Sequence, residues 1–364
     1  MDFAATAIID TAALKHNLDV LRRASQGCRV MAVIKANAYG HGLVPVATVL
    51  ESADSFAVAR VTEARALRNA GIRKPIVLLE GVFDASDLEA ALALDCEVVV
   101  HGDEQLALLA ANDQQPNVIW VKVDSGMNRL GFAPNRFSDV VARVKATCQG
   151  SELRLLSHFA SADLDSSYQT EAQLKALKPL IDAWSGGLSL ANSPAGLRGM
   201  AAGGINTADQ DVWIRPGIGL YGITPFESGD APTHEPLVPV MDFSAKIIAT
   251  RTINVGDRVG YGGRFCADKP MRIGIVAAGY GDGYPRMLPD GAPVLVDGAH
   301  SGLVGRVSMD MLAVDLTDLP DCGYGSTVTL WGKALPVGEV ASALGTIGYE
   351  LVTRVSDRVT RRYL

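Results

Sequence analysis

Lys35 ends an apolar run, residues 30–34, that reads as a buried strand, and Ala36-Asn37-Ala38-Tyr39-Gly40-His41-Gly42 follows it. An amine at that position stands half in a core and half in the mouth onto which the strand opens. Partial desolvation lowers the proton affinity of an amine and readies it to attack a carbonyl, which is imine chemistry. The small residues after it leave room for a bulky cofactor, and Tyr39 brings a hydroxyl. The commoner fate of a lysine at a strand end is to snorkel to water, so the stretch has to be weighed with its companions. One is Val121-Lys122-Val123-Asp124-Ser125-Gly126-Met127-Asn128-Arg129, a strand end, a turn and an arginine. A guanidinium in a mouth can clamp both oxygens of a carboxylate, although a surface ion pair fits the local pattern equally well. Ser157-His158 ends another apolar run, and Val259-Gly260-Tyr261-Gly262-Gly263 sets a tyrosine among three glycines. A lone histidine is more often structural than catalytic. Glycines bring backbone close to something, and a tyrosine between them projects into open space.

Taken together, these segments resemble the alanine racemases. The eight residues Lys35-Ala36-Asn37-Ala38-Tyr39-Gly40-His41-Gly42 match that family's cofactor-lysine signature throughout. The resemblance implies pyridoxal 5′-phosphate (PLP) bound covalently to Lys35, and a reaction that interconverts L-alanine and D-alanine through two bases, one on each face of Cα. Lys35 would serve the D-enantiomer and Tyr261 the L-enantiomer. It further implies that Arg129 holds the substrate carboxylate, with Lys122 carbamylated in some family members to orient it. Met309, in Gly305-Arg306-Val307-Ser308-Met309-Asp310-Met311, would meet the same carboxylate through its backbone amide. Tyr280, in Gly279-Tyr280-Gly281-Asp282-Gly283-Tyr284-Pro285-Arg286, would line the substrate pocket, while Tyr284 and Arg286 look structural. Tyr39, Ser193, the amides of Gly217 and Ile218, and Tyr349 would surround the phosphate. His158 would pack by the cofactor and hydrogen-bond Arg215, which would face the pyridine nitrogen. Arginine is always protonated, so that nitrogen would stay unprotonated and the ring would be a restrained electron sink. The family places lysine and tyrosine in different domains and joins them in a head-to-tail homodimer with active sites shared between subunits, which is the arrangement expected here.

The elements that must position these residues have a rhythm. Strand-like runs occur at residues 29–34, 55–59, 75–79, 96–100, 118–123, 153–158, 188–191 and 212–215, with helical patterns between them. Eight strands alternating with helices predict a (β/α)8 TIM barrel. An open doubly wound sheet would carry a glycine-rich turn after its first strand, and Gly40-His41-Gly42 lacks that spacing. On the barrel reading Lys35, Asp124, His158, Asn192 and Arg215 all fall at the C-terminal ends of strands, where barrel enzymes place their chemistry. After Thr233-His234-Glu235-Pro236 the texture changes to short strands with Gly, Pro and Asp turns, at 241–249, 272–277, 293–296, 302–307, 312–315 and 327–330. This predicts two domains, a PLP-binding barrel over 1–235 and a mostly-β C-terminal domain over 236–364 that carries the second base.

Composition excludes several classes. The 364 residues are 48% hydrophobic and 20% charged, enough for a sizeable core. A net charge of -7 argues against a nucleic-acid or anionic-membrane partner, which would want a basic face. Five scattered cysteines, none in a CxxC pair, suit a reducing compartment with neither disulfides nor a zinc site. The N-terminus lacks a signal-peptide pattern and no apolar run approaches a membrane span, so a cytoplasmic location is expected. Three other functions remain open: an amino-acid decarboxylase or broad-specificity racemase on the same barrel, a non-enzymatic PLP carrier, and a purely structural barrel. Decarboxylases of this type carry a catalytic cysteine in the β domain, and Cys266 and Cys322 lie in no such context; broad racemases usually bring a secretory signal; known carriers lack the β domain.

Overall fold

The computed structural model describes residues 3–200, 211–226, 232–233 and 235–364; Met1, Asp2 and His234 of the expected junction lie outside the described residues. Eight strands close a parallel barrel: β2 (Arg29–Val33), β3 (Ser55–Val58), β4 (Ile76–Leu78), β5 (Cys96–Val100), β6 (Val118–Lys122), β7 (Glu152–Leu156), β8 (Leu188–Ser189) and β9 (Val212–Ile214). Each pairs with the next, and β9 returns to β2 through Trp213 beside Arg29. All eight strand runs read from the sequence are present. Strands buried on both faces carry continuous apolar runs, and β5 is buried at every position. Helices such as Val61–Asn69, Ala85–Ala93 and Phe137–Thr147 cover the outside.

Side-chain alternation stacks the barrel interior in layers. Met31, Val33, Ala57, Val77, Val99, Trp120, Leu156 and Trp213 form an apolar cluster of their own. Two residues before Leu156, Arg154 lies between the rings of Trp120 (5.2 Å) and Trp213 (5.1 Å), and Trp120 Nε1 donates to Glu97 at 2.6 Å. Two residues beyond Val33, Trp120, Leu156 and Trp213 stand Lys35, Lys122, His158 and Arg215. The same period of two that fills the core with apolar groups therefore delivers four basic side chains to the mouth.

The second unit is built on the thirteen-residue strand β10 (Met241–Ile253). It pairs with β1 (Thr6–Ile9) and β17 (Thr327–Trp331) over its first half, and with β13 (Met271–Val276) past an irregularity between Ile247 and Ala249. The short β11 (Arg258–Val259) and β12 (Phe265–Cys266) pair with one another; β14 (Pro293–Val296), β15 (Ala299–Gly302) and β16 (Leu312–Asp315) complete the sheet with β18 (Thr360–Tyr363), which runs parallel to β1. The chain thus begins and ends in this sheet. One continuous apolar cluster runs from the barrel's helices through Ile9, Phe243 and Trp331 into the second unit. The strand expected at 302–307 is a correction: the chain folds back at Asp297-Gly298, both with positive φ, so the paired segment is β15, and beyond it Leu303 alone keeps a bridge to Val314.

Candidate active site

Lys35 leaves β2 into an unusual turn. Ala36, Asn37, Ala38 and Tyr39 have φ of 53°, 54°, 51° and 52°, a left-handed helical turn of four consecutive non-glycine residues. Left-handed conformation costs an L-residue about 1–2 kcal/mol, so the surroundings must hold it. Tyr39 emerges half-buried, its ring stacked on Tyr221 at 4.9 Å and tilted against Tyr349 at 6.3 Å. Burial pushes the Tyr39 hydroxyl up to about 12 and raises that of Tyr349 as well, so both stay protonated as donors. His41, wholly buried, stacks on Tyr221 at 4.5 Å and bonds the Tyr39 carbonyl through Nδ1; burial lowers its pKa to about 4.

Ser193 begins the short helix Ser193–Leu197, whose cap Asn192 accepts from the Ala195 amide at 3.3 Å. The Ser193 hydroxyl accepts from the Gly217 amide at 2.9 Å and the Gly219 amide at 3.3 Å. A Cβ on Gly217 would sit 2.3 Å from the Tyr39 hydroxyl, so only glycine lets that oxygen approach the backbone. Two hydroxyls and a run of backbone amides therefore converge at the ends of β8 and β9, the corner of a barrel mouth suited to a phosphate. Ile218, buried, opens the 3-10 turn Ile218–Tyr221, and Tyr221 Oη donates to Val33 O at 3.2 Å beneath Lys35.

Arg215 is 4% exposed. Its guanidinium donates to Ser189 Oγ at 2.6 Å, to the carbonyls of Ser157 and Leu190, and to His158 Nδ1 at 3.3 Å. Arginine can only donate, so His158 Nδ1 is the acceptor and the imidazole is neutral. Burial and then the Arg215, Lys122, Arg129 and Lys35 charges hold the His158 pKa well below the usual range. Lys122, 7% exposed, is lowered to about 7 by burial and then by Arg215 and Arg129. Burial and Arg129 bring Arg215 itself to about 9. The mouth holds more positive charge than its own carboxylates balance, which is a demand for anionic ligands.

Arg129 rises on the loop after β6. The Asp124 carboxylate accepts the amides of Gly126 (2.9 Å), Asn128 (3.0 Å) and Arg129 (2.9 Å), and Phe132 closes the loop by donating its amide to Lys122 O at 2.9 Å. Asn128 takes a positive φ of 56°, which asparagine tolerates. The Arg129 side chain is exposed at the rim.

Tyr280 and Met309 lie on loops of the second unit that bond one another, and Tyr261 lies on a glycine turn whose Gly260 faces the Arg306 backbone. Tyr261 is 68% exposed between glycines of positive φ. The Tyr280 amide donates to Ser308 O at 3.0 Å, that of Gly281 to Met309 O at 2.8 Å, and Arg358 ties Asp282 to Asp310, each at 2.8 Å. These loops lie open at the surface, whereas Lys35, Tyr39, His158, Ser193, Arg215, Gly217, Ile218 and Tyr349 form the barrel mouth. Tyr284 is buried against Trp331, in keeping with a structural part. Sequence reasoning gave no role to Glu63, which accepts the Ala36 amide, to Arg361, which donates to Gly40 O, or to the Asn37 side chain, which accepts the Leu43 amide beyond the turn. Among the described residues no group of three or more His, Cys, Asp or Glu side chains could hold a metal ion, and no helix is long and apolar enough to cross a membrane.

Comparison with known proteins bears on the chain as a whole. The family model of the alanine racemase N-terminal domain matches residues 9–225, and that of the alanine racemase C-terminal domain matches 240–363. An alanine racemase of Variovorax paradoxus is 47% identical over 363 residues, covering 97% of this chain and 96% of its own. A catabolic alanine racemase of Pseudomonas aeruginosa is 47% identical over 361 residues, covering 99% and 98%. The crystal structure of the biosynthetic alanine racemase from Pseudomonas aeruginosa superposes with a TM-score of 0.91 at 44% identity over 100% of both chains. That of the Bartonella henselae alanine racemase with covalently bound pyridoxal phosphate gives 0.86 at 29% identity, covering 99% of each.

Proposed function

The chain belongs to the alanine racemase family, and from that premise we propose that it interconverts L-alanine and D-alanine with PLP held on Lys35. The observation that carries the reading is the barrel mouth. It offers one amine at the end of β2, a corner of hydroxyls and amides at Tyr39, Ser193, Gly217 and Ile218, and a buried Arg215, and these fit an aldehyde, a phosphate and a pyridine nitrogen in turn. When bound, PLP would withdraw electrons from Cα of the amino acid joined to it and so acidify the Cα proton.

The protein's residues do the rest. Arg129 holds the substrate carboxylate with its planar fork, and Asp124 fixes the loop from which it reaches. Arg215 presents only N–H groups, so it keeps a ring nitrogen unprotonated and confines the chemistry to proton exchange. Lys35 removes or returns a proton on one face of Cα, and Tyr261 does so on the other; two bases are needed because one would tend to return the proton where it came from. Tyr280 and the Met309 amide border the substrate. We further propose a head-to-tail homodimer in which the partner subunit's Tyr261 reaches the mouth of each barrel. What supports it is that Tyr261, Tyr280 and Met309 are all exposed on the second unit. In this division of labour the domain of residues 1–235, whose β1 joins the second sheet, holds the cofactor with Tyr349 added, and 236–364 supply the second base. The near-neutral pKa of Lys122 leaves much of its amine free at neutral pH, so it can take up carbon dioxide as a carbamate, releasing a proton, and face Arg129 as an anion. A cytoplasmic location and a part in supplying D-alanine as a peptidoglycan precursor belong to the same reading.

Chiral analysis of L-alanine incubated with the PLP-loaded protein tests it. D-alanine should accumulate to an equal mixture with the native protein and not with Lys35→Ala. Unchanged L-alanine with PLP demonstrably on Lys35 would sink the assignment.

A further inference from the structure

We propose that Glu63 and Arg361 are positioning residues for Lys35, pinning the left-handed turn Ala36–Tyr39 at its two ends and so fixing the direction in which the lysine leaves β2. The inference rests on Lys35 being the cofactor lysine. Within the turn, the Ala38 amide donates to Ile34 O at 2.9 Å, Gly40 to Ala36 O at 3.0 Å and Gly42 to Asn37 O at 2.9 Å. A right-handed turn would make equivalent bonds without strain, so the internal bonds do not choose the hand. The outside contacts must choose it.

At the front, Glu63 Oε1 accepts the Ala36 amide at 2.7 Å, on the residue next to Lys35. Its Oε2 accepts the amides of Ala59 (2.9 Å) and Arg60 (3.1 Å), in the loop after β3. A residue that merely capped the helix Val61–Asn69 would need only the second oxygen. The first ties the loop after β2 to the loop after its neighbour in the barrel. At the back, Arg361 of β18 donates from Nε to Gly40 O at 2.7 Å, and its other nitrogens are fixed by the carbonyls of Val355, Ser356 and Val359. Tyr363 Oη donates to His41 O at 3.0 Å. A Cβ on Gly40 would meet Val352 O at 2.0 Å and one on Gly42 the Tyr363 hydroxyl at 2.0 Å, so the turn lies flush against the C-terminal segment. The last strand of the chain, more than three hundred residues on, backs the lysine turn that the barrel holds in front.

Glu63→Gln keeps the shape but offers one acceptor oxygen for two sides, and Arg361→Lys keeps the charge but loses the fork. Two readings are taken on each variant. One is hydrogen exchange of peptides covering 33–42 and 61–69 in the apo-protein. The other is PLP dissociation, followed by borohydride trapping on Lys35. Loss of a charge-assisted hydrogen bond predicts faster exchange in 33–42 and weaker PLP retention, each by about tenfold. It also predicts a fall in kcat with little change in the KM for alanine, because the Arg129 loop is untouched. Unchanged exchange in 33–42 with unchanged PLP retention overturns the proposal, as does faster exchange confined to 61–69, the mark of a plain helix cap. Should Glu63→Gln fail to fold, Arg361→Lys decides by the same readings. Native protein that traps no PLP on Lys35 refutes the function instead, while exchange in the apo-protein still judges the pinning.

Discussion

Arg129, His41 and Gly217 show how single residues answer to different physics. Arg129 owes its place to Asp124, and a guanidinium gripping a carboxylate in two bonds loses one of them on Arg129→Lys. The KM for alanine should rise about tenfold or more, read by steady-state kinetics in the direction from L to D; an unchanged KM would move the carboxylate elsewhere. His41 is buried neutral, with a folded pKa near 4 against 6.5 in the unfolded chain. Between those values the unfolded chain binds a proton that the folded one does not, so stability is lost as pH falls from 6.5 towards 4, by up to about 1.4 kcal/mol per pH unit. Urea midpoints across that range should flatten in His41→Asn relative to the native chain. Gly217→Ala sets a methyl 2.3 Å from the Tyr39 hydroxyl and should strip PLP on gel filtration while the circular dichroism stays native. The places of Lys35, Tyr39 and Arg215 in the barrel mouth were legible in the sequence, because an unbroken motif and a strand end mark them. Asp124, Glu63 and the His41 stacking were not, because each works through backbone amides or rings whose positions only the folded chain supplies.

The barrel strands were legible because burial on both faces leaves an unmistakable apolar run, and period-two alternation then puts Lys35, Lys122, His158 and Arg215 on one inner layer. The left-handed turn was hidden, since Ala-Asn-Ala-Tyr reads as helix or loop and its hand is decided by Glu63 and Arg361 from outside. Likewise β1 and β18 gave no sign of pairing with each other: their partners stand more than two hundred residues away, and β18 is mostly exposed, so no apolar run marks it. Deleting residues 360–364 would expose β1 along that edge and remove the contacts to Gly40 and His41 together. The melting temperature of the apo-protein should fall by several degrees, roughly what a few kcal/mol cost a chain of this size, and PLP retention should fall with it.

For the whole molecule, the proposed homodimer, with one base in the barrel mouth and the other on the exposed Tyr261 of the second unit, would make activity a property of two chains. Mixing Lys35→Ala with Tyr261→Phe and allowing subunits to exchange creates dimers in which one mouth has both bases and the other neither. Random exchange should restore about a quarter of native activity from two inactive parents, and no recovery would argue that each chain supplies both bases to itself. The most direct measurement of the central claim is the reaction of L-alanine with PLP-loaded protein in D2O, following chirality and deuterium at Cα together. Two bases on opposite faces require D-alanine to carry deuterium at Cα from the first turnovers. Deuterium entering L-alanine without inversion would show that only the face given to Tyr261 exchanges protons and would contradict a second base, Lys35, on the other.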